Sequence, residues 1–124
     1  MTTDVAIGRR DNVRQLTILS GQTASEALDL PRGIVPAGLA VRFPSDWDGG
    51  ALTPQVQSIV EDNVWSDVFD QTGTAITVVA GAAATGANRF IAVHADVFAF
   101  SAPLRFVAAT AVEADRVLEV HIKG

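Results

Sequence analysis

The chain has 124 residues, of which 48% are hydrophobic, and its formal net charge is −5. This length fits one domain with an ordinary core. The absence of cysteine excludes disulfides, thiolate metal sites and a cysteine nucleophile. The apolar runs are too short to cross a membrane, and the few scattered cations, among them the single lysine Lys123, argue against a nucleic-acid partner.

The first 13 residues differ from the rest of the chain. They lack sustained alternation of apolar and polar residues, and they carry the adjacent cations Arg9 and Arg10. We therefore expect an extended N-terminal arm over residues 1–13, followed by a single β-sandwich domain over residues 14–124.

Alternation with a period of two predicts strands throughout the domain. It begins at residues 15–19, where Leu16 and Ile18 share one face, and turns rich in Gly, Pro, Asp and Asn separate the later runs. The alanine-rich segment 108–115 is interpreted as a strand end and a loop, and residues 94–98 as a candidate one-turn helix. The predicted strands cover residues 15–19, 23–29, 34–43, 51–60, 64–69, 74–80, 89–93, 104–108 and 116–122.

About eight short strands without a helical stripe indicate an all-β fold, an antiparallel β-sandwich or jelly roll. The core is expected to use the apolar faces of the strands. Its predicted members are Leu16, Ile18, Leu28, Leu39, Val41, Val56, Ile59, Val68, Ile76, Val78, Phe90, Ile91, Leu104, Phe106, Leu118, Val120 and Ile122.

Side chains suited to catalysis are few. The chain has two histidines, one lysine, no tyrosine and no cysteine. His94 and His121 lack the spacing that presents two imidazoles to one metal, and His121 is expected on the outward side of its strand. No Gly-x-Ser-x-Gly nucleophile elbow occurs. We therefore predict that the protein is not an enzyme and that it has no catalytic residue, cofactor or metal site.

Tryptophans and acidic residues keep two binding functions open. Trp47 and Trp65 are candidate stacking platforms for sugar rings, which makes a carbohydrate-binding module an alternative. Trp65 is also expected to pack at a sheet end. Asp46 and Asp48 lie in a turn of the kind that often holds calcium, although their spacing matches no calcium-loop signature and turns select Asp for its backbone hydrogen bonds.

Several segments follow one another in a characteristic order of strands and turns. They are LTILSGQTASEALDL (16–30), AVRFPSDW (40–47), LTPQVQS (52–58), WSDVFD (65–70), RFIAV (89–93) and PLRFV (103–107). Across residues 14–122 this order resembles a family of small β-rich virion proteins of tailed bacteriophages, whose members decorate or project from the head. The family supplies no catalytic residue to carry over.

The resemblance implies a structural virion protein that is made in the host cytoplasm and decorates or cements the outside of the capsid. Its partner would be the major capsid protein, and it would form a homo-oligomer, with a trimer favoured. A head fibre, a spike or a tail component is the alternative within the same class. The arm is the candidate contact with the capsid or a sister subunit, because its arginines can bind carboxylates and its residues 4–8 can add a strand to an exposed edge. The candidate contact residues are Val5, Ile7, Arg9 and Arg10.

Overall fold

A computed structural model describes residues 13–28, 38–78, 90–93 and 103–123 of the chain. Within these ranges the regular structure is entirely β. The strands are β1 (Val13–Ile18), β2 (Gly38–Arg42), β3 (Leu52–Gln57), β4 (Trp65–Asp67), β5 (Phe90–Ala92), β6 (Leu104–Ala108) and β7 (Arg116–Lys123).

The strands form two antiparallel sheets, as in a β-sandwich. The larger sheet has the order β1-β7-β2-β5, and the smaller sheet has the order β4-β3-β6. Strand β7 is central in the larger sheet, where Leu118 lies opposite Leu16 of β1 and Val120 lies opposite Val41 of β2. Strand β3 holds the corresponding position in the smaller sheet. The all-β prediction is confirmed, although seven strands rather than about eight lie in the described ranges.

In the described residues, the predicted strands over 23–29 and 74–80 are present only as isolated bridges. Between its two bridges, segment 24–28 spans one more residue than the facing segment 104–107 of β6. An extra residue on one side interrupts a ladder in the manner of a bulge. This explains why the predicted strand over residues 23–29 does not form a continuous ladder. The bridges join Ala24 to Val107, Leu28 to Leu104, Leu52 to Val78 and Phe69 to Ala75.

Most of the predicted core is buried between the sheets. The prediction is wrong for Ile59, which is 77% exposed because β3 ends at Gln57 and the chain turns away. Val56 and Ile91 are partly buried at the margin of the core, and the side chain of Phe90 lies outside the described part. The confirmed members are Leu16, Ile18, Leu28, Leu39, Val41, Val68, Ile76, Val78, Leu104, Phe106, Leu118, Val120 and Ile122. The structure adds Phe43, Trp47, Leu52, Val93, Ala108 and Val112.

Some of the predicted segments lie within the described residues, and others lie outside them. Strand β1 begins at Val13, the last residue of the expected arm, which pairs with His121. Residues 1–12 lie outside the described residues, and the candidate contacts Val5, Ile7, Arg9 and Arg10 lie there too. The same holds for the candidate helical turn at residues 94–98. The expected loop after β6 is confirmed, since the strand ends at residue 108 and residues 109–115 form bends and irregular backbone.

Candidate binding face

Trp47 belongs to the core. Trp47 is 3% exposed. Its ring packs edge to face against Phe43, with 5.2 Å between the ring centroids and 73° between the ring planes. The indole Nε1 donates a hydrogen bond to the carbonyl oxygen of Gly50 at 2.9 Å. Because so little of the ring is exposed, it offers no face to a sugar. This corrects the interpretation of Trp47 as a stacking platform.

Asp46 and Asp48 bind an arginine. Arg116 donates from Nη1 to Asp46 Oδ2 at 2.9 Å and from Nε to Asp48 Oδ1 at 3.0 Å, and its side chain is 10% exposed. Asp48 Oδ2 also accepts a hydrogen bond from the backbone nitrogen of Glu113 at 3.1 Å. The hydrogen bond from Arg116 lowers the pKa of Asp48, and the hydrogen bond to Asp48 raises the pKa of Arg116. These contacts attach the turn after β2 to the start of β7.

His121 lies on the outer face of the larger sheet, as its alternation predicts. Its side chain is 41% exposed and is hydrogen-bonded to Glu119 two residues earlier. His94 lies outside the described residues. In the described part of the chain, no group of three or more histidine and acidic side chains is placed to hold a metal ion. No helix there is long and apolar enough to cross a membrane.

An open groove of about 670 Å³ lies between the end of β1 and residues 22–26. Two of its polar side chains are hydrogen-bonded to the backbone of the strands. Glu26 Oε1 accepts a hydrogen bond from the backbone nitrogen of Thr17 at 3.0 Å, and the buried Ser25 hydroxyl accepts one from the backbone nitrogen of Phe106 at 3.1 Å. These bonds attach segment 23–28 to both sheets, and the groove lies beside that attachment.

The outer face of the smaller sheet carries a row of polar side chains joined across its three strands. Gln55 of β3 lies opposite Asp67 of β4 and Arg105 of β6. Its Nε2 donates to Asp67 Oδ1 at 2.8 Å, and its Oε1 accepts from Arg105 Nε at 2.8 Å. The amide therefore presents its donor end to the anion and its acceptor end to the cation, which is the favourable orientation at both ends.

The guanidinium of Arg105 also lies over an aromatic ring. Its Cζ lies 4.4 Å from the centroid of the partly buried Trp65, within the range of a cation–π interaction. Partial burial lowers the pKa of Arg105, and an arginine remains charged at neutral pH because its ordinary pKa is so high. The expected position of Trp65 at a sheet end is confirmed, because it is the first residue of the edge strand β4.

Exposed apolar side chains gather at the same region. Among the described residues, six large apolar side chains are exposed, and four of them lie between residues 59 and 69. Ile59 is 77% exposed and Val60 92% in the turn between β3 and β4, while Val64 at the end of that turn is 38% exposed. Phe69, 53% exposed, lies two residues beyond Asp67, on the same side of the strand.

Hydrogen bonds fix the conformation of this turn. The Ser58 hydroxyl accepts from the backbone nitrogens of Val60 at 3.2 Å and Glu61 at 3.0 Å. The Ser58 nitrogen donates to the Val64 carbonyl at 2.8 Å, and Asn63 has a φ of 61°, which asparagine tolerates better than most residues. The exposed apolar side chains therefore lie on a turn whose backbone conformation is fixed by hydrogen bonds. We call residues 58–64 the apolar turn, and Gln55, Trp65, Asp67, Phe69 and Arg105 the binding face.

Comparisons with known proteins leave the family open. Among protein-family models, curated proteins and solved structures, none matches this chain. The grounds for a function are therefore the binding face, the apolar turn and the order of strands and turns along the chain.

Proposed function

We propose that this protein is a structural virion protein of a tailed bacteriophage, attached to the outside of the capsid through the major capsid protein. The apolar turn carries the proposal, because Ile59 and Val60 are almost fully displayed on a turn that hydrogen bonds hold in place. Burying one such side chain contributes about 1.5–3 kcal/mol. A free monomer loses this contribution, whereas a protein that docks on a larger surface gains it.

The binding face adjoins the apolar turn and supplies the polar part of the same surface. Val64 ends the turn and Trp65 begins the next strand, so the two features are continuous along the chain. Interfaces concentrate their binding free energy in tryptophan and arginine, with polar residues around them. The pair of Trp65 and Arg105 has this composition.

The choice of a capsid as the partner comes from the resemblance in the order of strands and turns. A block of two antiparallel sheets suits a coat protein, which needs a stable shape and an adhesive surface. The proposal includes the jelly-roll form of the sandwich, the N-terminal arm over residues 1–13, a homo-oligomer with a trimer favoured, and a location on the virion surface. A head fibre, a spike or a tail protein would use the same surface at another place on the particle.

Particle binding by paired serine variants tests the proposal. Particles that lack this protein are incubated with the purified chain, and the copies bound per particle are counted over a range of concentrations. We expect wild-type protein to saturate sites on the head, and the double variant Ile59→Ser/Val60→Ser to bind at least tenfold more weakly, which corresponds to about 1.4 kcal/mol.

A matched control lies on the opposite side of the molecule. Leu19 and Val117 are 57% and 40% exposed and belong to the larger sheet and its margin, so Leu19→Ser/Val117→Ser should bind like wild type. Wild-type protein that binds no particle would refute the proposal, as would equal losses for the two double variants. Binding confined to the tail would favour the alternative that the protein is a tail component. Retention on a glycan column that Trp65→Ala abolishes would favour the carbohydrate-binding module.

A further inference from the structure

The guanidinium of Arg105 is held in one position by two contacts. Its Nε–H donates to Gln55 Oε1 at 2.8 Å, and its Cζ lies over the ring of Trp65 at 4.4 Å from the ring centroid. Gln55 is itself anchored by its hydrogen bond to Asp67. A long side chain ordinarily loses rotamer freedom when it binds, and this loss weakens binding. Much of that loss has already occurred here during folding.

The terminal amino groups of the same guanidinium are unoccupied by the rest of the described chain. An arginine has five N–H donors, and the hydrogen bonds of Arg105 to described residues use only the one on Nε. Arg116 provides the contrast, because both Asp46 and Asp48 bind it and its side chain is 10% exposed. Arg116 therefore stabilises the fold, whereas Arg105 retains N–H donors on its terminal amino groups for an external acceptor.

No carboxylate of the smaller sheet neutralises Arg105 directly. Asp67 lies two strands away across β3, where the backbones are roughly 9–10 Å apart at the usual strand spacing, and the amide of Gln55 lies between the two charged groups. Arg105 lies on the outer face of the sheet, and its Cζ lies over Trp65. Two parallel N–H donors on a planar group match the two oxygens of a carboxylate.

The surroundings favour a carboxylate on a protein surface over a phosphate. Asp67 and the net charge of −5 oppose a multiply charged anion more strongly than a single carboxylate. The rim of Trp65, Phe69 and the apolar turn suits the apolar part of a protein interface, where exclusion of water strengthens an enclosed ion pair.

We infer that Arg105 is a carboxylate receptor, which binds an aspartate or glutamate side chain of the partner protein through its two Nη groups, with Trp65 as its platform and Gln55 as a positioning residue. The identification of that partner as the major capsid protein rests on the proposed function. The receptor itself is a property of this chain and can be tested without particles.

The first experiment uses the free protein. Side-chain NMR spectra of the ¹⁵N-labelled full chain are followed during titration with sodium acetate, and separately with sodium phosphate and with sodium chloride at the same ionic strength. We expect the Arg105 guanidinium signals to shift with acetate more than with chloride, while those of Arg116 stay in place. Equal responses of Arg105 to acetate and chloride would overturn the inference, and a response to phosphate alone would overturn the choice of a carboxylate.

The second experiment uses the particle-binding assay. Arg105→Lys keeps the charge but removes the planar pair of donors, and Arg105→Gln removes the charge. We expect at least 30-fold weaker binding for both, about 2 kcal/mol, with unchanged circular dichroism. Arg42→Lys on the larger sheet is the matched control and should bind like wild type. Converting the particle's surface carboxylates to amides should reduce wild-type binding to the level of the Lys variant and leave the variant unaffected.

The outcomes separate the two proposals. If wild-type protein binds particles and the Arg105 variants bind equally well, the receptor is wrong and the capsid function stands. If wild-type protein binds no particle but Arg105 responds to acetate, the capsid function is wrong and the receptor stands.

Discussion

Gly49 occupies a place where any side chain would strike the core. A Cβ atom at this position would lie 2.6 Å from Cζ2 and 2.7 Å from Cη2 of Trp47, and 3.0 Å from Cβ of Ala108. The indole cannot easily retreat, because it packs against Phe43 and its Nε1 is bonded to the Gly50 carbonyl. We therefore predict that Gly49→Ala destabilises the protein by overpacking.

The expected change in the free energy of unfolding of Gly49→Ala combines two opposing effects. Overpacking a dense core costs about 1–3 kcal/mol. The φ of Gly49 lies outside the left-handed region, so alanine restricts the unfolded chain and returns about 0.4–1 kcal/mol. The net loss should be about 1–2 kcal/mol, and Tm should fall by roughly 3–5 °C for each kcal/mol in a chain of 124 residues.

A double-mutant cycle with Trp47→Leu identifies the cause. Urea unfolding followed by circular dichroism gives the free energy of unfolding for the four proteins of the cycle. When the indole is absent, Gly49→Ala should cost nothing or stabilise by a few tenths of a kcal/mol, so the coupling energy should be about 1–2 kcal/mol. The same cost in both backgrounds would refute the clash. Gly73→Ala is the control, because its φ of 83° opposes any side chain while nothing lies within 4 Å, and its cost should not depend on Trp47.

Three further perturbations test other parts of the structure. Because Arg116 lowers the pKa of Asp48, the ionised carboxylate stabilises the fold above its unfolded pKa of about 3.9, and this stabilisation is lost as the pH falls through the lower folded value. The urea midpoints of wild type and Asp48→Asn should therefore differ at neutral pH and converge in acid. Asn63→Val places a β-branched residue at a φ of 61° and should cost about 1–3 kcal/mol in urea unfolding, whereas Asn63→Gly should cost little. Ile59→Ser should change the free energy of unfolding by less than about 0.5 kcal/mol, because the side chain is 77% exposed.

Alternation predicted the inward faces of the long strands because a strand buries every second residue. Leu118, Val120 and Ile122 of β7 are buried as expected, and so are Leu104 and Phe106 of β6. The period says which residues share a face, but it does not say where the strand ends. Ile59 illustrates the problem: the predicted strand over residues 51–60 includes it, but Ile59 lies three residues after Val56, out of step with the inward series, and Ser58 starts a turn before it.

The burial of Trp47 could not be predicted from the local sequence, for a different reason. It stands between Asp46 and Asp48 in a turn, a setting typical of an exposed aromatic residue. Its burial depends on Gly49, which leaves room for the ring, and on Arg116, which holds the two flanking carboxylates at the surface. Arg116 is about 70 positions away along the chain, so neither local pattern nor propensity reveals this contact.

The binding face was predictable residue by residue but not as a unit. Alternation in β6 places Arg105 outward, and the start of β4 places Trp65 at a sheet end. Their meeting depends on the pairing of β3 with both strands, where Gln55 opposes Asp67 and Arg105 at once.

The two arginines Arg116 and Arg105 have different partners in the folded chain. Arg116 is paired with two carboxylates, whereas the amide of Gln55 separates Arg105 from Asp67. Gln55→Glu gives Arg105 a carboxylate partner within the chain, but it also loses the hydrogen bond to Asp67 and places a like charge opposite it. These effects oppose each other, so the free energy of unfolding should change by less than about 1 kcal/mol, whereas the response of Arg105 to acetate should weaken. An undiminished response to acetate would show that Gln55 does not control the availability of Arg105.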